Sequence, residues 1–209
     1  KFFKKYENNA EGYFLPGIKD LFKDNKHELA THGYCHIPFN LLSEEEAIQE
    51  LLLVKSQMLD AGIFYSSIIY PRNKIAHTEI LRKYGIKRYR GLPNHLNSKF
   101  LPTKLNYLIE SLNLYKKAES LNKDFVPGGV MIHWFHGYRK LIPLSVSYKK
   151  YDSMLKDAIK NNKVAHLWLH PHNLITSSQT KSMFVDLCEK ISDMMNEGKL
   201  INVTFDELT

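Results

Sequence analysis

The sequence predicts an α/β fold, a parallel sheet with helices packed outside it. Strand-like and helix-like segments alternate along most of the chain, which is the pattern of βαβ units. No repeat and no Gly/Ser- or Pro-rich linker divides the 209 residues, so 1–209 reads as a single domain against a usual ~150 residues per domain. The composition, 44% hydrophobic and 24% charged, is globular and excludes a disordered tail, a fibre and a coiled-coil rod. About six strand candidates stand against the eight strands and typically ~250 residues of a closed barrel. An open doubly wound sheet and a (β/α) barrel short of strands at its N-terminus both fit.

The elements follow in order. A strand is expected just before His32. Ser43 and Glu46 form a capping box for a helix over 43–61, with Ala47, Leu51, Leu52, Val54, Met58 and Leu59 as its apolar face and Gly62 as its stop. SSIIYP at 66–71 reads as a strand, a short helical segment closes at Gly85, and IKRYRGL at 86–92 reads as the next strand. A helix is expected within 103–121, a strand in GGVMIHWF at 128–135, a helix over 147–161 and a strand in VAHLWLH at 164–170. The last helix, 178–196, carries Met183, Phe184, Leu187, Cys188, Ile191, Met194 and Met195 at i, i+3, i+4 spacing, and INVTF at 201–205 reads as a closing strand.

Charge and cysteine content narrow the partners. The 29 Lys and Arg exceed the 22 Asp and Glu by +7, but they are spread along the chain without a sustained stripe, KRYR at 87–90 included, so no nucleic-acid partner is expected. The same charge would suit an anionic polymer. Two cysteines, Cys35 and Cys188, make no disulfide scaffold. No apolar run reaches the ~18 residues of a membrane span. The chain opens on Lys1 within KFFKKYENN, so any targeting signal is expected upstream of it, and localisation stays open.

The chemistry is expected among the ten histidines. HELATHGYCH at 27–36 is not an H-E-x-x-H zincin motif, because the histidine after His27 is five residues on, about 140° around a helix. His32 and His36 are four apart, a spacing that puts two imidazoles on one side of a helical turn or tight loop. Zinc in a catalytic site takes about three protein ligands, so this pair needs one more, commonly a carboxylate. HLWLHPHNL at 166–174 holds His166, His170 and His172, which face one way if the strand continues. His170 falls where that strand runs into Pro171, and an imidazole there could act as general acid or base. Arg72, in YPRN at the end of another strand, could hold a carboxylate through both its donors. All three places lie where a predicted strand meets its loop, the side of parallel α/β folds on which catalytic groups collect. Their shared position favours a metal-assisted hydrolase over three unrelated structural roles.

The ordered segments resemble the polysaccharide deacetylase family, carbohydrate esterase family 4. NKHELATHGYCH at 25–36 is similar almost position by position to the family's H-x-x-x-H zinc motif, IIYPRNKI and KYGIKRYRG look like the branch with F-P-R-N and Y-R-G strands, and HLWLHPHNL is similar to the last motif. The resemblance covers about 16–208. It implies a distorted (β/α) barrel in which His32 and His36 bind zinc or another divalent transition metal. Arg72 corresponds to the arginine that steadies the catalytic aspartate, and His170 to the histidine that protonates the leaving group, with His172 the second choice for that role and a candidate substrate contact. The implied reaction removes N- or O-acetyl groups from a polysaccharide or glycan. Tyr34, between the two ligands, is the foremost candidate to stack on a sugar ring, ahead of Tyr70, Trp134 and Trp168. The family's opening T-F-D-D-G strand, source of the general base and third metal ligand, has no counterpart here and is expected upstream of residue 1. The aromatic of the family's Arg-Pro motif is replaced by Asn73 and Lys74, and no match exists for the residues that tune the catalytic histidine. A non-catalytic, glycan-binding relative is the alternative reading.

Overall fold

A computed structural model describes residues 27–60, 62–92, 105, 109, 110, 112 and 116–208. The chain divides into two compact units, Lys1–Tyr89 with Val203–Thr209, and Arg90–Asn202. Both are mixed α/β with parallel strand pairing.

In the first unit three parallel strands pair in sequence order. Strand β1 (Ala30–Thr31) lies beside β2 (Ser67–Ile68), and β2 lies beside β3 (Arg88–Arg90), which runs to the unit's boundary. The strands are shorter than their sequence patterns. Ile69 still donates to the Thr31 carbonyl at 2.9 Å, but Pro71 has no N–H to give and a 3-10 turn, Pro71–Asn73, begins there. A 3-10 helix, Thr78–Tyr84, replaces the expected helical segment and ends as predicted at Gly85, whose φ of 89° is left-handed.

Helix α1 (Glu44–Asp60) connects β1 to β2, and its start is the one the capping box predicts. The Ser43 hydroxyl accepts the Glu46 N–H at 3.2 Å, and the Glu46 carboxylate accepts the Ser43 N–H at 2.8 Å. Gly62, at φ 67°, follows it. Its buried stripe is Ala47, Glu50, Leu51 and Val54, one helical face at i, i+3, i+4, i+7. Leu52 and Leu59, expected on that face, are 40% and 57% exposed because they lie well around the helix from it. Phe39, Ile68, Tyr70, Leu81 and Ile86 complete this core. Replacing Ser43 with alanine removes one half of the capping box and is expected to cost about 1 kcal/mol, read as a lowered urea midpoint with an unchanged slope.

The C-terminal segment belongs to this unit, but not as a strand. The Glu207 carboxylate accepts the Thr204 N–H at 2.6 Å and its hydroxyl at 2.9 Å, folding the segment into a turn where INVTF was expected to extend. Lys87 reaches Asp206 at 3.2 Å, and the Asp206 N–H reaches Glu28 at 3.1 Å, so polar ties rather than a backbone ladder hold it.

In the second unit, β4 (Phe125–Val126) receives the Gly91 N–H at 2.8 Å on the Val126 carbonyl. Strands β5 (Val130–Met131) and β6 (Leu167–Trp168) pair in parallel, with Val130 opposite Leu167 and Met131 opposite Trp168. Helix α2 (Leu144–Asn161) starts three residues before the predicted Ser147, directly after Pro143, and stops at Asn162 in a left-handed conformation. Helices α3 (Pro171–Thr176) and α4 (Ser178–Asn196) follow β6. Helix α4 matches its prediction, with Ser177 capping the Thr180 N–H at 3.2 Å. Met183, Leu187, Ile191 and Met194 face the core with Tyr151, Met154 and Leu155, whereas Cys188 and Met195 are exposed. Most of the helix expected within 103–121 lies outside the described residues. Of its end, Glu119 forms an antiparallel bridge to Val164. Among the described residues no helix is long and apolar enough to cross a membrane.

Candidate functional site

The loop after β1 carries the H-x-x-x-H pair. It is a loop rather than a helix because Gly33 turns left-handed at φ 79° and His36 does the same at φ 58°. The turn returns the second histidine to the first, and the two ring centroids are 4.7 Å apart with planes at 66°. Zinc–nitrogen bonds of ~2.0–2.1 Å at a tetrahedral angle set two ligating rings roughly 5 Å apart, so the pair has the spacing of two ligands on one ion. Both rings are exposed. Nδ1 of His32 lies 2.5 Å from the Ile69 carbonyl. A carbonyl only accepts, so the proton is on Nδ1 and Nε2 keeps the lone pair a metal needs, the usual outer-sphere device that fixes a ligating histidine.

The donor type suits zinc, and the pair offers two such donors at ligand spacing. Among the described residues no group of three His, Cys, Asp or Glu side chains comes together to complete the set. Cys35 stays outside it. Its thiol is pushed above the ordinary value by burial and by its bond to Glu50. Tyr34, between the two histidines in sequence, is 43% exposed and has ring area to offer a substrate. Tyr70 does not. It is in the core, edge-on to Phe39 at 5.1 Å and to Tyr89 at 5.8 Å, which withdraws it from the sugar-stacking candidates. Arg72 sits in the turn after β2 with an exposed side chain and a left-handed backbone, φ 53°, next to Asn73 at φ 54°. Two successive non-glycine residues in that region are the kind of backbone strain that collects at working sites.

The other candidates belong to the second unit. Strand β6 ends at Trp168, so the period-two expectation that His166, His170 and His172 share one strand face holds for none beyond it. His170 is the residue before α3, and His172 lies in the first turn of α3. The helix nevertheless brings them together, rings stacked at 5.4 Å with planes 14° apart. They continue a row of aromatic contacts. Trp168 meets His170 edge-on at 5.7 Å, Trp134 meets His172 at 5.5 Å, and Trp134 stacks on His136 at 4.5 Å. Burial, then the charges of His172 and Arg90, lowers the His170 pKa. His166 is turned inward, its Nδ1 2.6 Å from the Pro127 carbonyl, and burial lowers its pKa as well.

No protein-family model matches the chain, and no curated protein matches it at a significant level. The site is read from its own chemistry.

Two residues here escaped the sequence reading. Glu50 is buried in the α1 stripe beneath the histidine loop, and its signal was legible as an acid at an apolar helix position. Arg90 lies over the Trp168 ring at 4.5 Å, next to His170, and burial lowers its pKa. Nothing in the pattern KRYR separates Arg90 from its neighbours.

Proposed function

We propose that the protein is a metal-dependent hydrolase of the polysaccharide deacetylase type, removing N- or O-acetyl groups from an acetylated polysaccharide or oligosaccharide on a distorted (β/α) barrel. The observation that carries this reading is the His32–His36 pair, with His32 oriented through its Nδ1 by Ile69. In this reading His32 and His36 hold zinc, with a carboxylate outside the described residues as third ligand. Zinc bound there supplies a polarised acetyl carbonyl and a water of pKa near ~7. The family resemblance would give Tyr34 and His172 the sugar contacts, Arg72 the steadying of the carboxylate that takes the water's proton, and His170 the proton donation to the departing amine or alcohol.

The test is zinc content and acetate release from acetylated chito-oligosaccharides by the protein. One zinc per chain is expected, with stoichiometric binding lost on His32→Ala and on His36→Ala because either change would leave one histidine and the carboxylate of a three-ligand set. Unchanged zinc content in both variants would remove the two histidines as ligands. Zinc binding with glycan affinity and without acetate release would replace the hydrolase by a glycan-binding domain.

A further inference from the structure

The loop that carries His32 and His36 needs a reason to hold its shape, since both histidines are exposed and the segment is neither helix nor strand. Glu50 supplies one. It is 6% exposed, in the same α1 stripe as Ala47, Leu51 and Val54. Its Oε2 accepts the Tyr34 N–H at 2.6 Å and the Cys35 N–H at 2.9 Å. These are the central residues of H-x-x-x-H. Among the described residues no Lys or Arg forms an ion pair with Glu50, so these two backbone donors, with the Cys35 thiol, supply the compensation that a buried carboxylate requires. The approach depends on Gly33, where a Cβ would lie 3.3 Å from Oε2 and 3.4 Å from Phe39.

We propose that Glu50 is the positioning residue of the metal-binding loop, fixing the backbone between His32 and His36 so that their rings stay at ligand spacing. Its bearing on metal rests on the hydrolase reading above; its hold on the loop does not. One carboxylate on the α1 helix clamps two of the three residues between the histidines, so the backbone that carries the two rings cannot shift there without breaking a charge-assisted hydrogen bond. Substitution there is expected to act on metal affinity without a ligand being touched.

The experiment follows amide hydrogen exchange by NMR and zinc affinity by competition with a chromophoric chelator, for the wild-type protein, Glu50→Leu and Glu50→Gln. Glu50→Leu is expected to speed exchange at Tyr34 and Cys35 about tenfold or more and to weaken zinc about 10–100-fold. The Ile69 amide, bonded to Thr31 in the same unit, should keep its protection and so reports that the fold is intact. Glu50→Gln retains a neutral acceptor about half as strong, and should restore much of both quantities. If Glu50→Leu does not fold, Glu50→Gln decides, through measurable losses at the same two amides and in zinc affinity. Wild-type protection of Tyr34 and Cys35 in every folded variant would overturn the proposal, as would wild-type zinc affinity in variants whose loop amides had been freed. If the wild-type protein takes up no zinc, the hydrolase reading falls, while the exchange data still decide whether Glu50 holds the loop.

Discussion

Replacing Gly129 with alanine is expected to destabilise the second unit by about 3–5 kcal/mol, combining overpacking with the cost of a left-handed alanine. Gly129 has φ 67°, and a Cβ there would lie 2.2 Å from the His166 carbonyl oxygen and 2.8 Å from the His166 Cβ and Cγ. The shortest of these contacts is with a backbone oxygen, so no side-chain rotation relieves it. The same carbonyl accepts the Val130 N–H at 2.9 Å, the first bond of the β5–β6 ladder. An alanine must push the two strands apart at that bond, and the next one, from the Ile132 N–H to the Trp168 carbonyl at 2.8 Å, shifts with it. Thermal unfolding followed by circular dichroism should show a fall in Tm on the order of 10 °C. A change within about 1 °C would mean that the strands yield at this point, and the close packing would then contribute little.

The β5–β6 pair also shows what the sequence could and could not announce. GGVMIHWF and VAHLWLH each hold a strand as the sequence predicts, although each ladder is only two residues long. Their lengths were not legible: β6 stops at Trp168, short of the Pro171 at which the sequence pattern places its end, and β5 starts directly after the left-handed Gly129. Helix boundaries were legible where side chains cap the backbone, at Ser43 and Ser177. The start of α2 was not, since Pro143 and Leu144 begin it without any side-chain cap. The INVTF segment fails for a related reason. Its β-branched residues favour extension, but Glu207 binds both the backbone and the hydroxyl of Thr204 and turns the chain back.

The candidate site follows the same division. H-x-x-x-H spacing predicted two imidazoles on one side, and the rings do meet. That result depends on left-handed backbone at Gly33 and His36, which the spacing does not announce. His170 and His172 were expected together on a strand and meet instead across a strand end and a helical turn. Residue type and rough position were legible. The anchoring contacts, which join residues such as Glu50 and Tyr34 that are far apart in sequence, were not.

Under the proposed function, His170→Ala is expected to lower kcat/KM for acetate release about 10²–10⁴-fold while zinc content is unchanged, because a positioned proton donor contributes on that scale. Loss of zinc in the same variant, or a rate within about threefold of wild type, would remove His170 from the role. The pH dependence gives a second reading of the same group. A donor must be protonated, and the His170 pKa is lowered by burial first and then by His172 and Arg90. The rate that depends on it should therefore fall as pH rises through a value below the ordinary ~6.5 of imidazole. The sign follows from the charge, since burial and neighbouring cations both disfavour the imidazolium. His172→Ala removes one of these cations and the stacked ring, so the alkaline limb should move to higher pH in that variant. If it stays in place or moves the other way, His172 does not tune the donor, and the stacked pair has a structural role only.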